Sequence, residues 1–165
     1  MIKLIDIIKE AKQVGTLYHF TSYCGMTQIV EDGLSMYSEF ERISFTRYKN
    51  FKAPDISKEV RIAVDGTKLS NKYKIAPYSS TTAAFNRSAH SGKEEAEEFL
   101  EIGEDNLDLS DYLLGIEVIN KDVLDRSDNA PYFKQSERVV NKCYKDLIKA
   151  LKVHNVHYKL VDKFS

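Results

Sequence analysis

The chain has 165 residues, 42% of them apolar, which is enough for one globular domain with a proper core and short for two. Its 24 basic and 25 acidic side chains nearly cancel, so no global field draws it to nucleic acid or an anionic membrane, although local basic patches stay open. Cys24 and Cys143 show no CxxC spacing and no clustered histidines, so the sequence indicates neither a zinc site nor a disulfide framework and reads as reduced, cytoplasmic thiols.

In chain order, Ile2, Leu4, Ile5, Ile7, Ile8 and Ala11 recur with helical spacing, which predicts an amphipathic N-terminal helix over residues 1–14. Lys3, Asp6, Lys9 and Glu10 interrupt it, excluding the unbroken apolar run of a signal peptide or membrane span. Leu17-Tyr18-His19-Phe20-Thr21-Ser22 then reads as a strand whose alternation places Leu17, His19 and Thr21 on one face and Tyr18 and Phe20 on the other. Thr21 or Ser22 can cap the helix that follows, with Met26, Ile29 and Val30 on its apolar face and Gly33 at its end.

Ile43-Ser44-Phe45-Thr46-Arg47 alternates strictly and predicts a short strand, as does Val60 to Asp65, where Asp65-Gly66 turns the chain. Tyr73-Lys74-Ile75 reads as a further strand. Residues 77–94 carry almost no apolar period and read as a long loop. The acidic run Glu94-Glu95-Ala96-Glu97-Glu98 leads into Phe99-Leu100, and Tyr112 through Ile119 supplies another strand. A helix is expected over roughly Ser136 to Val153, with Val139, Val140, Cys143, Tyr144, Leu147, Ile148 and Leu151 on its apolar side, and Val156 to Val161 closes the chain as a strand. The mixed order lacks regular βαβ repetition, so the fold class is α+β. No GxGxxG or GxxxxGK loop is present, and His90, His154 and His157 show no metal spacing.

The ordered set of Leu17-Tyr18-His19-Phe20-Thr21, a helix ending in Gly33-Leu34, Ile43-Ser44-Phe45-Thr46-Arg47, Val60 to Asp65 and Ala96-Glu97-Glu98-Phe99-Leu100 resembles the ADP-ribosyltransferase superfamily. It looks closest to small phage-encoded members and DarT-type enzymes, over residues 16–119. Met1 to Gln13 also looks like the N-termini of phage proteins. The resemblance implies a split mixed sandwich of two small sheets flanking an NAD cleft, in one domain spanning 1–165, with NAD as co-substrate and a host protein or nucleic acid as acceptor. It implies that His19 hydrogen-bonds the adenosine ribose, that Phe20, Thr21 and Ser22 lie beside the dinucleotide, and that Arg47 contacts phosphate or orients substrate. Tyr48, Tyr73 and Tyr78 are the candidates for stacking on nicotinamide. Glu98 is the preferred catalytic carboxylate, with Glu97 and Glu95 in reserve because Glu95-Ala96-Glu97 also has the E-x-E spacing of arginine-specific members.

The chemistry independently asks for such a group. Breaking a nicotinamide–ribose bond builds positive charge on the sugar, as glycoside cleavage does, and a fixed carboxylate in a water-poor cleft stabilises that charge. An arginine fork matches two pyrophosphate oxygens. Against these stand the plainer readings: His19 as a core histidine, Arg47 as a snorkelling strand-end residue, the acidic run as a solvated face, and Cys24 as structural. In the same way, a non-catalytic binding module of this fold, virion-associated or docking on a host protein, is the alternative to an enzyme.

Overall fold

The computed structural model describes residues 14–38, 42–50, 58–77, 97–103, 106–123 and 136–164. All but the last residue of the predicted N-terminal helix and almost all of the predicted 77–94 loop lie outside them. Twelve elements occur among the described residues, in the order β1 (Thr16–Thr21), α1 (Tyr23–Glu31), β2 (Ser35–Met36), β3 (Arg42–Thr46), β4 (Val60–Asp65), α2 (Gly66–Lys72), β5 (Lys74–Pro77), β6 (Glu97–Glu101), β7 (Leu107–Asp108), β8 (Leu113–Ile119), α3 (Glu137–Val153) and β9 (Lys159–Val161). The class is α+β.

Hydrogen bonding joins seven strands into one sheet, in the order β5-β6-β3-β1-β4-β8-β9, where the resemblance leads to two small sheets; the second sheet is only the β2–β7 ribbon. The sheet runs on because β1 pairs antiparallel on both sides, with β3 and with β4, the latter from Thr16 opposite Asp65 to Thr21 opposite Val60. Among the described residues, only β8 and β9 pair in parallel. β4 sits near the middle because its β-branched alternation gives it a wholly apolar side: Val60, Ile62 and Val64 are fully buried.

Two helices cover that side. Ser22 caps α1 by accepting the Gly25 N–H at 3.0 Å, and α1 buries Tyr23, Met26, Ile29 and Val30. α3 buries Val140, Cys143, Leu147, Ala150 and Leu151, an i, i+3, i+4 stripe that faces α1 and the sheet. Each fully buried aliphatic side chain of this kind contributes about 1.5–3 kcal/mol. The Tyr23 hydroxyl donates to the Ile119 carbonyl at 2.7 Å and its ring meets Tyr144 edge-on at 5.1 Å, so one side chain ties α1 to both the sheet and α3.

The cysteines correct the sequence reading. Cys24 on α1 and Cys143 on α3 are joined in a disulfide, with Cα atoms 4.9 Å apart across 119 residues. Nothing in the local spacing foretells this pairing, because it arises only when the two helices pack. Structural disulfides persist chiefly in oxidising compartments, so the bond weighs against reduced, cytoplasmic thiols. No helix among the described residues is long and apolar enough to cross a membrane.

The opposite side of the sheet carries a buried arginine. Arg61 is 2% exposed, pairs with Glu117, donates to the Lys49 carbonyl, and lies between the rings of Tyr18 at 5.4 Å and Phe164 at 4.8 Å. Full pairing is what makes such a charge tolerable in a core.

Candidate functional site

A cleft of about 630 Å³ opens between α1, β1, β2 and β3, within the range of small-molecule sites. β1 contributes His19 and Thr21, α1 contributes Gly25 and Gln28, and β3 contributes Arg42 and Ser44. The strand alternation read from the sequence explains the first pair: with Leu17 committed to the core, His19 and Thr21 share its face and reach the open margin beside α1.

Gly25 sets how closely the first turn of α1 lies on β1. A Cβ there would stand 2.5 Å from Thr21 Oγ1 and 3.3 Å from Ser22 Oγ, so any larger residue displaces the Thr21 hydroxyl from its place in the wall.

His19 is held in one tautomer. Its Nδ1 lies 2.9 Å from the Ser44 carbonyl, which can only accept, so Nδ1 carries the proton and donates. Its ring meets Phe45 edge-on at 5.8 Å. Burial lowers the imidazole pKa from its ordinary value, and the Ser44 bond opposes that shift without reversing it. A neutral ring with Nδ1 as donor leaves Nε2 as an acceptor, the arrangement that suits a ligand hydroxyl rather than an anion.

Glu59 sits behind the cleft, 7% exposed, and accepts the Tyr23 N–H at 2.6 Å, which sets a carboxylate at the N-terminus of α1. Burial raises its pKa and the Tyr23 bond opposes the rise. Glu59 anchors the helix that forms one wall of the cleft, and sequence reading missed it because a single glutamate ahead of a strand carries no pattern.

The other sequence-derived residues fall in several places. Ser22 is the α1 cap. Phe20 faces the other side of the sheet and packs on Phe164 at 5.7 Å. Arg47 and Tyr48 follow the end of β3, both exposed and neither lining the cleft. Tyr73 ends α2 and meets Tyr112 at 6.4 Å and Lys72 at 5.0 Å, also outside the cleft lining. Glu97 and Glu98 belong to β6, whose register sets Glu97 opposite Thr46 and Glu98 opposite Phe45. Glu95 and Tyr78 lie outside the described residues.

β6 is thus the neighbour of β3, and β3 of β1. Strands bearing His19, Thr46 and the Glu97-Glu98 pair stand side by side, and position 98 shares the register of Phe45, the residue that touches His19.

The cleft also contains residues the sequence did not single out. Arg42 opens β3 one position before the predicted strand start, and Gln28 lies on the polar side of α1. Glu31 and Asp32 lie on the rim. Arg42 lies 4.0 Å from Glu101, half exposed, so its charge remains available to the cleft. Among the described residues no group of three His, Cys, Asp or Glu side chains gathers as a metal site. Comparison with protein-family models, with curated proteins and with solved structures finds no significant match for this chain.

Proposed function

We propose that the chain is a mono-ADP-ribosyltransferase of the ADP-ribosyltransferase fold, consuming NAD to modify a host protein or nucleic acid. The observation that carries this reading is the adjacency of β1, β3 and β6, three strands whose motifs are far apart in sequence; β1 and β3 line the cleft and β6 pairs with β3.

In this reading His19 Nε2 accepts a ribose hydroxyl, and the Ser44 carbonyl fixes the tautomer that makes this possible. Thr21 and Gln28 border the same hydroxyl-bearing part of the ligand. Arg42, which lines the cleft at the start of β3, supplies positive charge for pyrophosphate, while Arg47 stands past the strand's far end and outside the cleft lining. Glu98 is the carboxylate that offsets the charge growing on the ribose as the bond to nicotinamide breaks. Nicotinamide leaves with the bonding electron pair, the acceptor's nucleophilic atom forms the new bond to the ribose carbon, and the acceptor gives up a proton.

A second reading, a non-catalytic module of the same fold, is favoured by the rim. Glu31 and Asp32 oppose an anionic ligand, and Arg42 is shared with Glu101. Release of nicotinamide from labelled NAD, with and without host lysate, separates the two. The enzyme reading expects release or label transfer by the wild type and its loss in Glu98→Gln; equal behaviour of the two proteins sinks it.

A further inference from the structure

We propose that the outward face of α3 is a docking surface for the phosphate backbone of nucleic acid. Arg138, Lys142, Lys145, Lys149 and Lys152 follow one another at spacings of four, three, four and three residues, and every one is exposed. At the helical rotation per residue they fall within an arc of about 80° and run along about 21 Å of the helix axis. That arc lies directly opposite the stripe of Val140, Cys143, Leu147, Ala150 and Leu151 that α3 buries. Its two carboxylates, Glu137 and Asp146, flank the arc without entering it.

Among the described residues no ion pair engages any of the five cations, although Asp146 lies one turn from Lys142 and Lys149. Like charges three and four residues apart repel on a helix. Among the described residues no ion pair offsets that repulsion, and a repeating polyanion removes it. The near-zero net charge of the whole chain hides the asymmetry: residues 136–164 hold seven Lys and Arg against three Asp and Glu.

Two features favour nucleic acid over a membrane or a protein partner, and a third fixes the row in place. The helix's apolar face is already buried, so it has none to insert into a membrane. The row is linear and evenly spaced, as a backbone of repeating phosphates requires, and a protein partner draws on a buried apolar centre that this face lacks. The disulfide from Cys143 to Cys24 holds α3 against α1, so the row is presented on a fixed element. The inference goes beyond the proposed activity and is tested without NAD, so either can fail alone.

Fluorescence anisotropy with a labelled 20-base-pair DNA duplex and a 20-nucleotide RNA, each titrated between 50 and 200 mM salt, reads the interaction directly and tells DNA from RNA. Five phosphate contacts give a log–log salt slope of about −4.5 on the duplex or −3.5 on the single strand, a loss of affinity of roughly 100- to 500-fold across that range. The triple variant Lys142→Gln, Lys145→Gln, Lys149→Gln, which changes only exposed positions and relieves like-charge repulsion, is expected to fold with a melting temperature no lower than that of the wild type and to flatten the slope to about −2. Absence of binding to either probe at 50 mM salt and about 100 µM protein overturns the proposal. So does equal binding by the folded triple variant, and so does equal capture by phosphatidylserine vesicles or equal competition by polyglutamate.

Discussion

Gly66→Ala tests how the strand that carries His19 is seated. Gly66 is the first residue of α2 and donates its N–H to the Gly15 carbonyl at 2.8 Å, just before β1 begins. A Cβ at this position would stand 2.6 Å from the Gly15 oxygen, 2.7 Å from Leu17 Cγ and 2.9 Å from Val14 Cγ1, all well inside ordinary contact. The nearest of these is backbone, and Leu17 is fully buried, so neither can swing away as a long side chain would. Overpacking of this kind costs typically 1–3 kcal/mol, and the rigid surroundings put it near about 3 kcal/mol. The helix-propensity gain of alanine, at most about 1 kcal/mol and less at a first helical position, leaves a net loss of about 2–3 kcal/mol. For a chain of this size that lowers the melting temperature by roughly 4–12 °C. Gly115→Ala is the control, since a Cβ there meets nothing within 4 Å. Thermal melts followed by circular dichroism should show the first variant clearly destabilised and the second close to wild type. A Gly66→Ala melt within about 2 °C of wild type refutes this packing of α2 against the start of β1.

Reducing the Cys24–Cys143 bond should lower stability by about 2–4 kcal/mol in urea unfolding, and Cys24→Ser with Cys143→Ser should match the reduced wild type; no response to a thiol-free reductant contradicts the pairing. His19 is neutral in the fold with its pKa below the ordinary 6.5, so its contribution is fully present above that value and is lost as pH falls through the lowered one. His19→Gln should therefore shrink the drop in melting temperature seen on acidification below pH 6.5; an unchanged acid profile argues against a buried neutral ring. Glu59 has the opposite sign. Its folded pKa lies above the ordinary 4.5, so its contribution is full below that value and falls as pH rises through the raised one, and Glu59→Gln should gain on wild type as pH increases from there. A stability difference that stays flat with pH removes the buried carboxylate from the account.

Much of the scaffold is legible in the chain because its elements declare themselves locally. β4 spans Val60–Asp65 as its alternation predicts, and Ser22 caps α1 as its position before an apolar-periodic run implies. α3 begins after Ser136 and ends at Val153, where the stripe of apolar residues stops. α2 was not legible: its seven residues hold one apolar side chain, Leu69, and it forms because Asp65 caps Lys68 and Gly66 fits against Gly15. β6 was hidden by its charge, since the acidic run from Glu94 to Glu98 carries no strand alternation, and the strand forms where β3 and β5 pair with it on either side. The cleft was half legible. Alternation on β1 set His19 with Thr21, but Arg42 and Gln28 join them only through the packing of α1 over β3, a long-range arrangement that no local period encodes. For the same reason Tyr73, one of three tyrosines that the resemblance left open, stands against Tyr112 and outside the cleft lining.

Calorimetric titration of the oxidised chain with NAD, repeated with His19→Ala, tests directly whether His19 lines a dinucleotide site. Saturable one-site binding is expected of the wild type, with its loss or steep weakening in the variant and the fold retained by circular dichroism. No measurable heat of binding by the wild type, or an unchanged affinity in His19→Ala, contradicts it.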